Sequence, residues 1–255
     1  MIVWVYERAA CSGAFDRLVI ATDSAEIMDY CTRSGIQARL TSSHHTSGTD
    51  RLIEVVEQDF ASTQPADIYV NIQGDEPMVT AEHIRLLLSP FLAQAGRGEI
   101  NCQGQPGLRG VAEVASSAVQ VSTLKVPISS EHASDPNAVK VVTDFQGRAL
   151  YFSRAAIPFA RARTAEARYY KHLGLYAYTV AALQKFGSLP PSVLETTECL
   201  EQLRFLENGI PIHVLEASGD TIGVDTEQDL ERVREYFSNL GRVVASPCRA
   251  PASRV

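Results

Sequence analysis

The sequence has few cysteines, and none of them stands in a pair of the kind that binds zinc or carries redox chemistry. The five are Cys11, Cys31, Cys102, Cys199 and Cys248. Their number is odd, they lie far apart, and no C-x-x-C motif occurs, which argues against a zinc ribbon or a disulfide framework. A reducing compartment is the simplest setting for such a chain.

Positive charge and long apolar runs are also scarce. The chain has 23 Lys and Arg against 30 Asp and Glu, a net charge of -7, so a broad basic surface for nucleic acid is not expected. A local basic pocket for a small anion stays open. No apolar run approaches the ~20 residues that cross a bilayer, and residues 1–8 do not resemble a signal peptide. We therefore expect a cytoplasmic protein with no membrane or nucleic-acid partner.

The length and the alternation of patterns predict an α/β protein. With 255 residues, 45% of them hydrophobic, one large domain over residues 1–240 is expected, with a surface insertion at about 97–117 and a disordered tail at 241–255. Helical and extended patterns alternate as in a mostly parallel sheet with helices on both faces. The predicted strands cover residues 17–22, 36–40, 67–72, 121–126, 138–143, 149–153, 172–179 and 212–215. The turn ending in Gly147 makes residues 138–153 an antiparallel section.

Helices are predicted where a capping side chain precedes an apolar period of 3.6 residues. The predicted caps are Asp23, Ser47, Thr80 and Thr226. One further helix is predicted over residues 194–206, where Glu198, Glu201 and Arg204 share a face at three-residue spacing. Such a face is normally a solvated, ion-paired surface.

Two aspartates stand where strands give way to helices. Asp75 follows the buried strand at 67–72, the place where open α/β sheets bind ligands, and Asp225 directly precedes the last helix. Mg²⁺ commonly takes one or two protein carboxylates and fills its shell with water and substrate phosphates. Turn chemistry explains Asp75 about equally well, and a favourable helix dipole explains Asp225. Gln73 has no core role and is a candidate for a ligand hydrogen bond.

A second candidate site is the helix start Ser47-Gly48-Thr49-Asp50-Arg51. Backbone N–H groups, a glycine that permits close approach and an arginine suit a pyrimidine base or a phosphate. A plain helix cap explains Ser47 and Asp50 as well, and from the residues alone we favour that alternative.

A third candidate site combines a strand end with an extended segment. Arg154 ends a predicted strand, and a guanidinium grips a carboxylate in two places; a surface arginine is the alternative. His172 and Tyr176 lie four residues apart on an extended segment, so their side chains share a face. They suit a polyol pocket, although half-buried packing is the commoner role for such a tyrosine.

In order along the chain, these segments resemble the 3-deoxy-manno-octulosonate cytidylyltransferases, also called CMP-KDO synthetases. The resemblance covers most of residues 1–240. The matching segments are IATD at 20–23, HTSGTDR at 45–51, NIQGDEP at 71–77, PNAVKVV at 136–142, ALYFSRAAIP at 149–158, KHLGLYAY at 171–178, LEQLRFLENG at 200–209 and GVDTEQDLERV at 223–233.

The resemblance implies a Rossmann-like nucleotide-diphospho-sugar transferase fold and a homodimer that transfers a cytidylyl group from CTP to 3-deoxy-D-manno-octulosonate for lipopolysaccharide synthesis. It implies that Asp75 and Asp225 hold Mg²⁺ and that Gln73 lies near the nucleotide with Ser47, Gly48, Thr49 and Arg51. It also implies that the sugar acid is surrounded by Arg154, His172, Tyr176, Glu201 and Gln202.

The chain departs from the family at its start. Members open with a strand and a phosphate-holding loop of the type IPARYxSxRxPGKPL, whereas residues 1–8 match the helix that follows it. If the 255 residues are complete, little or no transfer is expected; the alternative is a true start further upstream. Two other hypotheses stay open, the same chemistry on an 8-amino analogue and an inactive homologue that only binds. Sialic acid fits the pocket motifs poorly.

Overall fold

A computed structural model describes residues 1–45, 47–62, 65–95, 118–161, 167–221, 223–224 and 226–241. The predicted insertion at 97–117 lies outside these ranges, as does the predicted tail apart from Gly241, which ends a helix. The chain divides into two compact units. The first comprises the described parts of Met1–Arg85 and Ser218–Val255, and the second comprises those of Leu86–Ala217.

Helices and strands alternate along most of the chain, as the sequence predicts. The helices are α1 (Ile2–Cys11), α2 (Ala25–Arg33), α3 (Gly48–Ser62), α4 (Ala81–Gln94), α5 (Ser130–Ala133), α6 (Val180–Ser188), α7 (Val193–Glu198), α8 (Leu203–Glu207) and α9 (Glu227–Gly241). The strands are β1 (Ile20–Thr22), β2 (Ala38–Leu40), β3 (Ile68–Asn71), β4 (Val121–Ile128), β5 (Lys140–Thr143), β6 (Ala149–Ser153), β7 (Tyr169–Thr179) and β8 (Ile212–Glu216). Across the described ranges, no helix combines the length and the apolar character that a membrane span requires.

In the first unit, short hydroxyl side chains cap the helices that follow α1. Thr80 Oγ1 accepts a hydrogen bond from His83 N at 3.2 Å, and Thr226 Oγ1 accepts one from Asp229 N at the same distance, which confirms both predicted caps. The predicted cap at Asp23 is wrong by one residue. Ser24 Oγ accepts the bond from Ile27 N at 3.3 Å, because Ser24 has the extended backbone that a cap requires. Strands β1 and β2 pair in parallel, and α3 packs against β1 and β3.

In the second unit, five strands lie in the order β6-β5-β7-β4-β8. Strand β4 pairs with β8 in parallel and with β7 antiparallel, while β5 and β6 form an antiparallel hairpin. Gly147 closes the hairpin with φ +77°, a conformation that favours glycine. These strands confirm the α/β class and the predicted antiparallel section.

The helix predicted over residues 194–206 is wrong as a single element. Helix α7 ends at Glu198, Cys199 takes a left-handed backbone with φ 52°, and α8 begins only at Leu203. The carbonyl oxygen of Glu198 accepts a hydrogen bond from Arg154 Nε at 2.9 Å. This bond comes from the residue that follows β6 and lies where α7 ends, so a tertiary contact accompanies the break.

Candidate functional site

The first unit presents Asp75 on a tight turn beyond β3. The turn is closed by main-chain hydrogen bonds from Glu76 N to Gln73 O and from Val79 N to Glu76 O, both at 3.2 Å. Asp75 is half-buried and Gln73 is exposed. The turn therefore fixes the carboxylate close to the end of the strand while the amide of Gln73 faces solvent.

The same turn contacts the segment that precedes α9. Val224 N donates to Asp75 O at 2.9 Å, and a Cβ added at Gly223 would lie 3.6 Å from Glu76 Oε1. Asp225 itself lies outside the described residues, but its chain neighbour Val224 is bonded to Asp75. The structure therefore shows a contact between the Asp75 turn and Val224, and the pairing of the two aspartates stays a prediction.

The helix start at residues 47–51 lies beside the end of β3. Ser47 Oγ accepts from Asp50 N at 3.1 Å, so the capping interpretation of Ser47 is confirmed. A Cβ added at Gly48 would approach Asn71 Nδ2 to 3.0 Å, so a larger residue would require the Asn71 side chain to shift. This contact places the α3 start next to the chain that leads into Gln73.

Within residues 47–51, the side chains of Thr49 and Arg51 are held by the surrounding structure. Thr49 is fully buried, which suits a packing role. Arg51 Nη2 lies 3.4 Å from Asp23 Oδ2, and its Nη1 donates to Thr41 Oγ1. The guanidinium is therefore held beside β1 and β2, with part of its charge compensated.

In the second unit, His172 and Tyr176 share a face as predicted, with ring centroids 5.3 Å apart. Both are buried. Burial, aided by the charge of Lys171, lowers the pKa of His172 to about 3, so its imidazole is neutral at pH 7. Burial, with Tyr178 and Glu201 nearby, raises the pKa of Tyr176, so its phenol keeps its proton. The pair therefore offers neutral hydrogen-bonding groups, which suit hydroxyl groups better than ions.

The neutral state of His172 predicts a pH-dependent stability. The folded ring binds a proton only near pH 3, whereas an imidazole in the unfolded chain binds one near 6.5. Between these values the unfolded state holds more protons, so the free energy of unfolding rises with pH by up to about 1.4 kcal/mol per pH unit. Urea unfolding between about pH 4.5 and 7.5 measures this slope.

The matched variants are His172→Gln and His44→Gln, because His44 is exposed on a loop. We expect a flatter pH dependence for the first and an unchanged one for the second. If the free energy of unfolding changed with pH equally in His172→Gln and the unmodified protein, the His172 ring would not be held neutral.

Arg154 is fixed by its main chain and its side chain together. Glu198 Oε2 accepts from Arg154 N at 2.9 Å, and the Arg154 guanidinium donates to Glu198 O and to Pro136 O at 2.9 and 3.2 Å. The fully buried Lys140 donates from Nζ to Arg154 O at 2.6 Å. Arg154 is therefore not a loosely attached surface arginine, and its direction is set by the turn after β6.

The solvated face predicted for Glu198, Glu201 and Arg204 is wrong. Arg204 is buried and its guanidinium forms a two-point ion pair with Glu195, from Nε to Oε2 at 2.7 Å and from Nη2 to Oε1. The break at Cys199 rotates the second half of the segment, so the three-residue spacing does not hold across it. Glu201 and the buried Gln202 lie in the turn between α7 and α8, which this ion pair spans.

Thr123, Lys140 and Glu198 organise this region, although sequence reasoning placed none of them in the candidate site. Thr123 and Lys140 are fully buried in strands. A polar side chain inside an apolar strand pattern needs a buried partner, and that signal was present at Val121-Ser122-Thr123-Leu124. The role of Glu198 depends on the break after α7, which the helical pattern did not reveal.

The family model described as Cytidylyltransferase matches residues 1–215. The chain belongs to the cytidylyltransferase family. Relatives called 3-deoxy-manno-octulosonate cytidylyltransferase are 50% identical in Acidobacterium capsulatum, 48% in Koribacter versatilis and 43% in Yersinia enterocolitica. The first two alignments cover 93% of this cytidylyltransferase and the third 94%, against 85%, 80% and 88% of the relatives.

Two solved structures are similar to this chain over most of its length. CMP:2-keto-3-deoxy-manno-octonic acid synthetase complexed with CTP matches this cytidylyltransferase with a TM-score of 0.78 and 37% identity, over 94% of this chain and 88% of that one. A nucleotidyl transferase from Methanothermobacter thermautotroptrophicus matches with a TM-score of 0.53 and 13% identity, over 94% and 82% of the two chains. The second likeness shows the nucleotidyltransferase fold alone.

Proposed function

We propose that the protein transfers the cytidylyl group of CTP to 3-deoxy-D-manno-octulosonate, giving CMP-KDO and pyrophosphate for lipopolysaccharide synthesis. The observation that carries this proposal is the identity of 48–50% over 93% of the chain to relatives that bear the name of this activity. The structural match that was solved with CTP supports the choice of nucleotide.

In the proposed reaction, the anomeric 2-hydroxyl oxygen of the sugar acid attacks the α-phosphorus of CTP. A new P–O bond forms, the bond from the α-phosphorus to the bridging oxygen of the β-phosphate breaks, and pyrophosphate leaves with that electron pair. The hydroxyl proton passes to solvent. Positioning and electrostatics supply most of the rate in such transfers, and no covalent enzyme intermediate is required.

We assign the first unit to the nucleotide and the second to the sugar acid. Gln73 and the helix start at residues 47–51 orient CTP. Arg154 binds the carboxylate of the sugar acid, while His172 and Tyr176 bind its hydroxyl groups as neutral partners. Glu201 and Gln202 complete that set. The fixed main chain at Arg154 supports this assignment, because a rigid guanidinium loses less entropy when it binds a carboxylate.

We assign Mg²⁺ to Asp75 and Asp225. The described residues contain no group of three or more His, Cys, Asp or Glu in a metal-binding arrangement, and Mg²⁺ needs only one or two protein carboxylates beside substrate phosphates. The hydrogen bond from Val224 N to Asp75 O fits a shared ion, because it holds the segment next to Asp225 against the Asp75 turn. A bound Mg²⁺ would offset the charge of the triphosphate and lower the pKa of the attacking hydroxyl.

A homodimer and a cytoplasmic location complete the proposal. The homodimer follows from the family resemblance, and the cytoplasmic location follows from the unpaired cysteines and the lack of a long apolar run in the sequence. Analytical ultracentrifugation tests the dimer, with a mass near twice 27.8 kDa as the expected result. A monomer at micromolar concentration would contradict it.

The substrate is tested by pyrophosphate release from CTP, UTP, GTP and ATP, each with octulosonate and with its 8-amino analogue. We expect release with CTP and octulosonate above all other pairs. A stronger response to the amino analogue would favour the second sugar acid.

Calorimetry separates an enzyme from a binding protein. We expect both CTP with Mg²⁺ and the sugar acid to bind. A protein that binds the sugar acid but no nucleotide, and that releases no pyrophosphate, would instead be a binding module.

A further inference from the structure

The buried hydroxyl of Thr123 lies within hydrogen-bonding distance of three atoms but has only one hydrogen to donate. Thr123 Oγ1 lies 2.8 Å from Leu175 O, 3.2 Å from Leu173 O and 2.9 Å from His172 Nε2. A threonine hydroxyl has one hydrogen to donate and two lone pairs that accept. The two carbonyl oxygens only accept, so they compete for that hydrogen.

A bulge in the sheet creates this arrangement. Thr123 pairs with Tyr176, and the next residue of β4, Leu124, pairs with Leu173. Strand β7 therefore contains two extra residues, Gly174 and Leu175, opposite a single step of β4. Bulges redirect side chains and main-chain groups at functional sites. Here the bulge brings two carbonyls of β7 to the same hydroxyl.

The competition fixes the proton on the imidazole. Each carbonyl oxygen can only accept, so the hydroxyl hydrogen points to one of them, and Thr123 Oγ1 then faces His172 Nε2 with a lone pair. Two lone pairs at 2.9 Å repel each other, so Nε2 must carry a hydrogen and donate it. Because the buried ring is neutral at pH 7, only one of its two nitrogens carries a hydrogen. Nδ1 is therefore left as an acceptor.

The imidazole of His172 is also confined by neighbouring rings. Packing therefore opposes a flip of the ring that would exchange its two nitrogens. Phe152 packs edge-on against His172 with centroids 5.0 Å apart at 79°, and Tyr176 packs nearby at 5.3 Å. His172 N donates to Val139 O at 2.8 Å, which fixes the main chain as well.

We propose that Thr123 is a positioning residue that holds His172 as the Nε2–H tautomer and so leaves Nδ1 to accept a hydrogen bond from a hydroxyl of the sugar acid. The inference rests on the proposed function for the identity of the ligand, but the tautomer itself belongs to the free protein. A hydroxyl group of a polyol can donate to Nδ1 without any charge entering the buried site.

Nitrogen-15 NMR of protein labelled at histidine tests the tautomer, because protonated and unprotonated ring nitrogens have well-separated shifts. His172→Gln assigns the signal. We expect the unmodified protein and Thr123→Ser to show a hydrogen on Nε2 alone. Thr123→Val, which keeps the shape but not the hydroxyl, is expected to show a mixture of tautomers.

Calorimetry with octulosonate tests the consequence. Affinity for the sugar acid is expected to fall in Thr123→Val in proportion to the lost Nε2–H tautomer, about twofold for an equal mixture, while Thr123→Ser and the affinity for CTP change little. A general loss of folding would weaken both ligands and lower the melting temperature.

The proposal is overturned if the unmodified protein carries the hydrogen on Nδ1, or if Thr123→Val keeps both the tautomer and the affinity. If Thr123→Val does not fold, the nitrogen-15 spectrum of the unmodified protein decides the tautomer on its own. If the tautomer is as expected but the unmodified protein binds no sugar acid, control by Thr123 stands and the proposed function fails.

Discussion

Asp75→Asn is expected to lower the rate of cytidylyl transfer by about a hundredfold or more. The substitution keeps the size of the side chain and the main-chain bond from Val224, but it replaces a charged magnesium ligand with a neutral amide. Loss of one preorganised electrostatic partner typically costs 10²–10³ in turnover. Pyrophosphate release at saturating CTP and sugar acid measures the effect, relative to the unmodified protein.

Asp29→Asn is the matched control, because Asp29 is exposed on α2. It removes the same charge at an exposed helix position that is not among the proposed ligand-binding residues, and its rate should remain unchanged. Titration with Mg²⁺ adds a second readout, since Asp75→Asn should need a higher concentration for half-maximal rate. Full activity of Asp75→Asn with an unchanged Mg²⁺ requirement would remove Asp75 from the metal site.

Arg204→Met is expected to lower the free energy of unfolding by about 3–5 kcal/mol. Removing one partner of a buried ion pair leaves the other charge uncompensated. The side chains of Arg204 and Glu195 are only 8% and 13% exposed, and the guanidinium also lies 4.0 Å from the centroid of the Phe186 ring. Chemical denaturation at neutral pH measures the loss.

The double variant Glu195→Gln/Arg204→Met should recover part of that stability, because it leaves no buried charge, while glutamine keeps an acceptor for Ser192 N. The exposed pair Arg234 and Glu231 on α9 is the control, with its closest N–O distance of 2.6 Å. Arg234→Met should cost less than about 1 kcal/mol. Equal losses for Arg204→Met and Arg234→Met would show that burial of the first pair contributes nothing.

The sequence predicted the elements whose signals are local. Alternation of apolar residues located the strands to within a few residues, and the hydroxyl caps at Thr80 and Thr226 follow from chemistry within one turn of the helix. The hairpin at Gly147 was predictable for the same reason, because its turn needs a positive φ that glycine adopts freely.

The break between α7 and α8 was not predictable, because it depends on a partner 44 residues away. The hydrogen bonds from Arg154 to Glu198 exist only after β6 has packed beside this segment. Without them, the apolar spacing from Leu194 to Leu206 indicates one continuous helix. The wrong prediction of a solvated face at Arg204 is a direct consequence, because a helix with the wrong bounds also assigns residues to the wrong faces.

The sequence indicated where several candidate residues lie, but not the contacts that hold them. The turn at Asp75 follows from a buried strand that ends in polar residues, and the pairing of Asp75 with Asp225 stays a prediction. The role of Thr123 depends on the bulge in β7, and a bulge shifts the register without a strong sequence pattern. Long-range register is the information that the sequence lacked.

The most direct test of the central claim is phosphorus-31 NMR of the gene product with CTP, Mg²⁺ and 3-deoxy-D-manno-octulosonate. The account predicts that the three CTP signals decline together while one phosphodiester signal and one pyrophosphate signal appear in equal molar amounts. Unchanged CTP, or conversion to CDP and orthophosphate, would contradict cytidylyl transfer.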